Sequence, residues 1–406
     1  MSFAFTASKF ALTFISSSQD IVIARAARTP IGSFQGSLAT ATAPALGTAV
    51  IKHLIDGLPT DAVNEVYMGN VLSTGMGQAP ARQATLGAGL PYSVPCTTIN
   101  KDCASGMKAV MMAAQNISTG QAGAMIAGGM ESMSNVPYYM PGARNGPRLG
   151  HGQVMDTIVA DGLWDVYNNF HMGNCGEDIA QKMGYSREDQ DAFAVESYQR
   201  AQKAQSAGVF EAEIVPVTVQ VKRKEVIVSQ DEECNRMDTS KIAGLKPAFS
   251  KTGTITAANA SSINDGAAAV LVTTRAQCEA WGLKPMARIL SFADAAKMPI
   301  EFTTAPTPAV QLAVSRAGLT LSDIHLHEIN EAFAAVAMAN MELLGIKHEN
   351  LNIHGGAVGI GHPIGASGAR IMVALLNALT VRDATLGCAS ICNGGGGASA
   401  IVLERL

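Results

Sequence analysis

Three short stretches carry the residue types needed for nucleophilic catalysis through sulfur. Cys103 stands in Asn100-Lys101-Asp102-Cys103-Ala104-Ser105-Gly106-Met107-Lys108-Ala109, where a run of good helix formers begins, and Val110 to Gln115 extend it with almost no polar residue. A cysteine there feels unpaired backbone N–H groups and the positive end of the helix dipole, both of which favour thiolate over thiol. Cys103 is therefore the candidate nucleophile. Bringing a thiol from about 8.5 to neutrality takes roughly 2 kcal/mol, whereas a helix end supplies about 0.3–1, so a base must come from elsewhere. His362, in Gly359-Ile360-Gly361-His362-Pro363-Ile364-Gly365, is the candidate: the flanking glycines permit close backbone approach and Pro363 stiffens the turn. Cys392 is separated from four consecutive glycines only by Asn393. Such a loop leaves backbone N–H groups free to stabilise an oxyanion, each worth up to ~10²–10³ in rate.

The elements that must position these residues alternate. Ile21 to Ala24 read as a buried strand, about 45–56 as a helix with Pro44 at its entrance, and Glu65 to Met68 as a strand. That alternation predicts an α/β fold with a mainly parallel sheet. The chain also repeats itself: Cys103-Ala-Ser-Gly-Met-Lys-Ala reads against Gly365-Ala-Ser-Gly-Ala-Arg-Ile, an offset of 365 − 103 = 262 residues. After each helix comes an apolar strand with a double glycine, Gly128-Gly129 in one half and Gly394-Gly395 in the other. Two matched segments in one order predict duplicated halves whose equivalent helices meet at a shared centre. Between them, over about 137–260, the texture changes to Gly, Pro and Asn loops, a polar helix from Ser186 to Gly208, and a mixed-charge region, as an insertion would. From Arg236 through Lys241 and Lys246 to Lys251 the only acid is Asp238, a stretch that suits an anion.

Composition narrows the classes. At 406 residues the chain is long enough for two or three domains, and only 15% charged residues point to surface buried in a homo-oligomer. A net charge of -4 provides no global basic field for nucleic acid, and no run of 18 apolar residues reads as a membrane span. The cysteines show no repeated metal-ligand spacing, which argues for a reducing compartment and against a zinc-type site. His325-Leu326-His327 reads as two side chains on one face of a strand. Gly359-x-Gly361-x-x-x-Gly365 is one residue off dinucleotide spacing and contains a proline, which argues against a dehydrogenase. Residues 1–18 carry four Phe, five Ser and a single basic residue, Lys9, and stay open between a transit peptide and a plain N-terminal extension.

Taken together, Asn100-x-x-Cys103-x-Ser105-Gly106, Gly128-Gly129-Met130-Glu131-Ser132, Asn330-Glu331-Ala332-Phe333, Gly361-His362-Pro363-Ile364-Gly365 and Cys392-Asn393-Gly394-Gly395-Gly396 resemble the thiolases, and within them the acetyl-CoA acetyltransferases. The resemblance spans nearly all of Asp20 to Leu406. It implies two βαβαβαββ halves stacked as an αβαβα sandwich, 19–284 carrying the inserted loop domain and 285–406 forming the second half, in a dimer or tetramer, with the homotetramer the expected state. It implies acetyl-CoA C-acetyltransferase activity, the reversible joining of two acetyl-CoA into acetoacetyl-CoA and CoA through an acetyl-Cys103 thioester. His362 would activate Cys103, and Cys392 would move the α-proton of the second acetyl-CoA. One oxyanion hole would be His362 with a water on Asn330, the other the N–H groups of Cys103 and Gly394. Coenzyme A would contact Arg236, Met237, Asp238 and Lys241, with Ser261 near the pantetheine and His171 and Met172 along its route.

In one branch of the family a potassium ion orders the same loops, and the matching positions here are Tyr198, Ala257, Ala258, Ala260 and Val358. No redox cofactor is implied. The branch that accepts 2-methyl-branched acetoacetyl-CoA carries Phe-Pro where this chain has Phe302-Thr303, so plain acetoacetyl-CoA is the expected substrate. A longer-chain 3-ketoacyl-CoA thiolase is the alternative within the family, and a non-catalytic acyl-CoA-binding relative the alternative outside catalysis. Cytoplasm and mitochondrial matrix both stay open.

Overall fold

The computed structural model describes residues 19–146 and 149–406; the extension expected over 1–18 lies outside the described residues. Nine principal strands follow in chain order: β1 Ile21–Arg28, β2 Glu65–Gly69, β3 Cys96–Ile99, β4 Ala124–Ser132, β5 Asn264–Thr274, β6 Ala287–Ala296, β7 Leu326–Ile329, β8 Leu386–Asn393 and β9 Gly397–Arg405. They form one sheet in the order β7-β8-β9-β6-β1-β5-β4-β2-β3, with the short strand Gly32–Ser33 added on β5. The first strand is the seam, pairing antiparallel with β5 on one side and β6 on the other. The expectation of a mainly parallel sheet is wrong. Only β2 with β3, β2 with β4 and β7 with β8 run parallel, and in each of those pairs the chain returns through helices, as a parallel pair requires. The tight turn at Gly394–Gly396 makes β8 and β9 antiparallel, and the long return between β4 and β5 does the same for that pair.

Eight helices matter here: α1 Ala43–Ile55, α2 Pro80–Gly87, α3 Ser105–Ser118, α4 Gly173–Met183, α5 Arg187–Ser206, α6 Pro306–Arg316, α7 Ala334–Leu344 and α8 Ile364–Val381. The first begins two residues earlier than its sequence pattern implies, because Thr42 caps it by accepting the Ala45 N–H and Pro44 fits its first turn. Three cores separate the layers. Leu46 and Val50 of α1 pack on Ile126 and Leu271 of one half-sheet. Val310 of α6 and Ala337 of α7 pack on Ala400 and Val402 of the other. Between the half-sheets, Met107 and Met111 of α3 join Ile371 and Leu375 of α8 against Val270 and Ile401. The stack is therefore helix, sheet, helix, sheet, helix, and the two equivalent helices share its centre.

They meet there because glycine lets them. A Cβ on Gly106 would lie 2.9 Å from the Ala369 nitrogen, and one on Gly368 would lie 2.5 Å from the Met107 nitrogen. Any larger residue at either position would push backbone from backbone. Mean hydropathy makes α8 apolar enough to cross a membrane by composition, but 83% of it is buried inside the protein, as a central layer requires. Between β4 and β5 lie α4, α5 and small hairpins. The α5 helix starts where Ser186 and Asp189 cap each other's backbone N–H groups, and α4 docks Ile179 and Ala180 on Ala335 and Ala339 of α7. His325 and His327 do not share a strand face: His325 precedes β7 and its Nδ1 accepts the Leu386 N–H at 3.0 Å, while His327 is buried.

Candidate active site

Cys103 lies on the turn between β3 and α3, two residues ahead of the helix. Ser105 builds that turn: its Oγ accepts the Lys101 N–H at 2.8 Å and donates to the Asp102 carbonyl at 2.6 Å. The thiol is partly exposed and lies 3.8 Å from Asp102 Oδ1. Burial first, then the Asp102 carboxylate, pushes it well above its ordinary pKa. The helix end alone does not make a thiolate, as its modest contribution implied: the carboxylate next door and the loss of water oppose it, and the resting group is a thiol.

His362 sits where the turn after Ala357–Ile360 enters α8. Gly361 takes φ +116 and a Cβ there would fall 2.6 Å from the Asn264 side chain, whose Oδ1 accepts the His362 N–H at 2.8 Å. The imidazole Nδ1 is 2.6 Å from Ser367 Oγ, and that hydroxyl donates to the Pro363 carbonyl at 2.9 Å. With the Ser367 proton committed, Nδ1 carries the ring hydrogen and Nε2 keeps a lone pair. Burial, reinforced by Arg370, lowers the ring to about 3, so it is neutral. Asn330, just past β7, brings its Nδ2 to 3.5 Å from Nε2.

Cys392 is the last residue but one of β8, fully buried among Met172, Ala260, Phe302, Ala332 and Phe333. Burial first, then Asp102, raises it to about 12. The Gly394 N–H is not free as the glycine run suggested. It donates to Asp102 Oδ2 at 2.6 Å, a carboxylate that burial pushes up to about 6 against the N–H groups of Gly394 and Cys103.

One cavity of about 380 Å³ collects much of this chemistry. Cys103, His362, Ser261, His171 and Met172 line it, and Phe249 and Phe333 close its wall. Cys392 is not on the lining but packs against Met172, Ala260, Phe302 and Phe333, which are. His171 stacks on Phe249 with ring centroids 4.7 Å apart and is lowered by burial. A larger groove of about 550 Å³, lined by Arg200, Lys203, His354 and Arg382, contains no nucleophile. Arg236, Met237, Asp238 and Lys241 lie outside the cavity. Met237 leans on Tyr198 and Val358, while Lys241 pairs with Asp238 at 3.0 Å on the exposed surface.

Tyr198 and Val358 pack together with Ala194, and Asn259 Nδ2 ties the Ala257–Ala260 loop to the same helix through Asp191 at 2.9 Å. The Tyr198 hydroxyl faces the charges of Glu233 and Glu331 and is raised by burial and by them. A buried phenol is a hard oxygen donor of the kind a monovalent cation takes. Sequence spacing gave no role to Ser367, to the Asp102 carboxylate or to Glu131. That last side chain is buried and accepts the N–H groups of Val71 at 3.0 Å, Leu72 at 3.3 Å and Gly365 at 2.9 Å, tying the two halves behind His362. Ser367 lies inside the repeated Ala-Ser-Gly signature, so that repeat held the available signal.

The model of the thiolase N-terminal domain matches residues 21–276, and that of the thiolase C-terminal domain residues 283–405. The chain belongs to the thiolase family. This thiolase is 55% identical over 391 residues to the mitochondrial acetyl-CoA acetyltransferase of Mus musculus, covering 95% of this chain and 91% of that one. It is 52% identical over 391 residues to acetyl-CoA acetyltransferase 1 of Arabidopsis thaliana, covering 95% and 94%. Among solved structures, the Acat5 thiolase of Ascaris suum in complex with coenzyme A is similar at 45% identity and a TM-score of 0.90, covering 95% of this thiolase and all of that chain. The acetyl-CoA acetyltransferase of Bacillus anthracis is similar at 39% identity and a TM-score of 0.93, covering 95% and 99%.

Proposed function

We propose that this thiolase is an acetyl-CoA C-acetyltransferase that joins two acetyl-CoA into acetoacetyl-CoA and CoA, and cleaves acetoacetyl-CoA in reverse, through an acetyl group carried on Cys103. The observation that carries the reading is a nucleophile and a neutral imidazole opening to one cavity, with a second thiol just behind its wall, in a chain more than half identical to acetyl-CoA acetyltransferases. His362 Nε2 takes the Cys103 proton, and the sulfur attacks the acetyl carbonyl as CoA leaves. The hydrogen then on Nε2 turns toward the carbonyl oxygen, alongside a water held by Asn330. The departing CoA sulfur takes the Cys392 proton; the Cys392 thiolate so formed then removes the α-proton of the second acetyl-CoA, and the resulting carbanion takes the acetyl group as the Cys103 sulfur leaves and recovers its proton from His362. A thiol raised to about 12 gives a strongly basic thiolate, which suits proton exchange with carbon.

By the same reading, Ser261, His171 and Met172 line the pantetheine path. Arg236, Met237, Asp238 and Lys241 receive the nucleotide end of coenzyme A, beyond the cavity. Tyr198, Ala257, Ala258, Ala260 and Val358 would hold potassium, whose fixed positive charge would order the Ala257–Ala260 segment beside the acyl pocket. The division into 19–284, with a loop domain over 137–260, and 285–406 belongs to this reading, as do the homotetramer and a mitochondrial location like that named for the mammalian relatives. The test is acetoacetyl-CoA thiolysis by wild type and Cys103→Ala, with and without potassium, beside a chain-length series. Turnover lost in Cys103→Ala and highest on acetoacetyl-CoA supports the reading; preference for medium or long ketoacyl chains contradicts it.

A further inference from the structure

The acyl-transfer reading needs the Gly394 N–H for a carbonyl oxygen, and in this molecule a side chain already takes it. Asp102 Oδ2 accepts that N–H at 2.6 Å across 292 residues of chain, while Oδ1 of the same carboxylate lies 3.8 Å from Cys103 Sγ. A Cβ built on Gly394 would fall 2.2 Å from Asp102 Oδ2, so the carboxylate is seated against the glycine backbone. The backbone at Asp102 is fixed independently. It takes φ +49, its N–H goes to Asn100 Oδ1 at 3.0 Å, and its carbonyl accepts from Ser105 Oγ. Aspartate tolerates that left-handed conformation better than most side chains. The neighbouring Lys101 ammonium is turned away to Asp294 and Ser399, leaving the carboxylate without a cation on its own turn.

We propose that Asp102 gates the acyl-transfer site: its carboxylate holds the Gly394 N–H in the resting enzyme and must swing away before a thioester carbonyl can occupy that donor for attack by Cys103. The inference rests on the thiolase reading above. It gives the site a competitor for its own oxyanion donor, built into the residue preceding the nucleophile. An ionised carboxylate is a stronger acceptor than a neutral thioester oxygen, so the ionised gate holds hardest. The groups around Asp102 are Cys103 and Cys392, both thiols at neutral pH, the Glu131 carboxyl, raised by burial to about 7, and the neutral His362 across the cavity. Burial brings Asp102 itself to about 6, so the gate is weakened below that pH and tightens above it.

The test is kcat/KM for acetoacetyl-CoA thiolysis by wild type, Asp102→Asn and Asp102→Gly between pH 5.5 and 8.5. Asparagine keeps the shape without the charge, and glycine removes the side chain at a backbone angle that suits it. Dividing each variant by wild type cancels titrations the proteins share. The ratio is expected to approach one at the acid end and rise to about tenfold at the alkaline end, the difference between a charge-assisted and a neutral hydrogen bond. A ratio that does not change with pH, or variants slower than wild type at pH 8, overturns the gate. Wild type inactive on acetoacetyl-CoA would instead sink the functional reading. A crystal structure at pH 8 then still decides the inference without turnover: Oδ2 on the Gly394 N–H supports it, and a carboxylate turned elsewhere overturns it.

Discussion

The Nδ1 of His362 rests 2.6 Å from Ser367 Oγ, whose own proton is committed to the Pro363 carbonyl. One hydroxyl thus decides which ring nitrogen is the base. Ser367→Ala removes the partner that selects the tautomer and frees the ring to turn. The expected result is a drop in kcat of about 10- to 100-fold, part of the ~10²–10⁴ that a positioned base supplies, with KM little changed. Steady-state kinetics beside a melting curve check this; a loss confined to KM would contradict the assignment.

Cys103 is held as a thiol by burial and by Asp102, so little of it is ionised near neutrality. Inactivation by iodoacetamide should therefore accelerate about tenfold per pH unit from pH 7 to 9 without levelling, since only the thiolate reacts. His362, lowered to about 3, adds no step in that range. A plateau reached by pH 7 would mean the thiolate is already formed, and the electrostatic account would fall.

Much of this architecture is written locally, and the exceptions share a cause. The repeat of Cys103-Ala-Ser-Gly in Gly365-Ala-Ser-Gly predicts that α3 and α8 are equivalent, and their crossing at Gly106 and Gly368 follows from residues small enough to let backbones touch. The strand at Ile21 and the capped helix after Ser186 are likewise readable from periodicity and capping chemistry. Sheet direction is not, because pairing β4 with β5 depends on where the chain returns after more than a hundred residues. Nor is the state of Cys103, since spacing reports the helix end but not the burial or the Asp102 charge that opposes it. The Asp102 contact with Gly394 is invisible for the same reason: it joins two loops brought together only by the packed halves.

Glu131 offers a test of how those halves are joined. Its Oε2 accepts from Val71 and Gly365, and its Oε1 from Leu72 and the Asn70 amide. Glu131→Gln keeps the size but sets an NH2 group against N–H donors whichever way it turns. A loss of about 2–4 kcal/mol is expected, from two buried donors left unpaired. Urea unfolding measures it; unchanged stability would mean that water replaces the carboxylate oxygens.

Gly368 tests the central crossing. An alanine methyl would sit 2.5 Å from the Met107 nitrogen, an atom that moves only with its helix. Gly368→Ala should cost about 1–3 kcal/mol through overpacking and lower turnover as the Cys103 turn shifts. A variant with the stability and activity of wild type would show that the two helices have room to separate.

The account depends most on Cys103 carrying the acyl group, and intact-protein mass spectrometry followed by peptide mapping reads that directly. Incubated with acetoacetyl-CoA in the absence of free CoA, wild type should gain one acetyl group on Cys103, and Cys103→Ala should gain none and turn nothing over. An acetyl group mapped to another residue, or thiolysis persisting in Cys103→Ala, would contradict it.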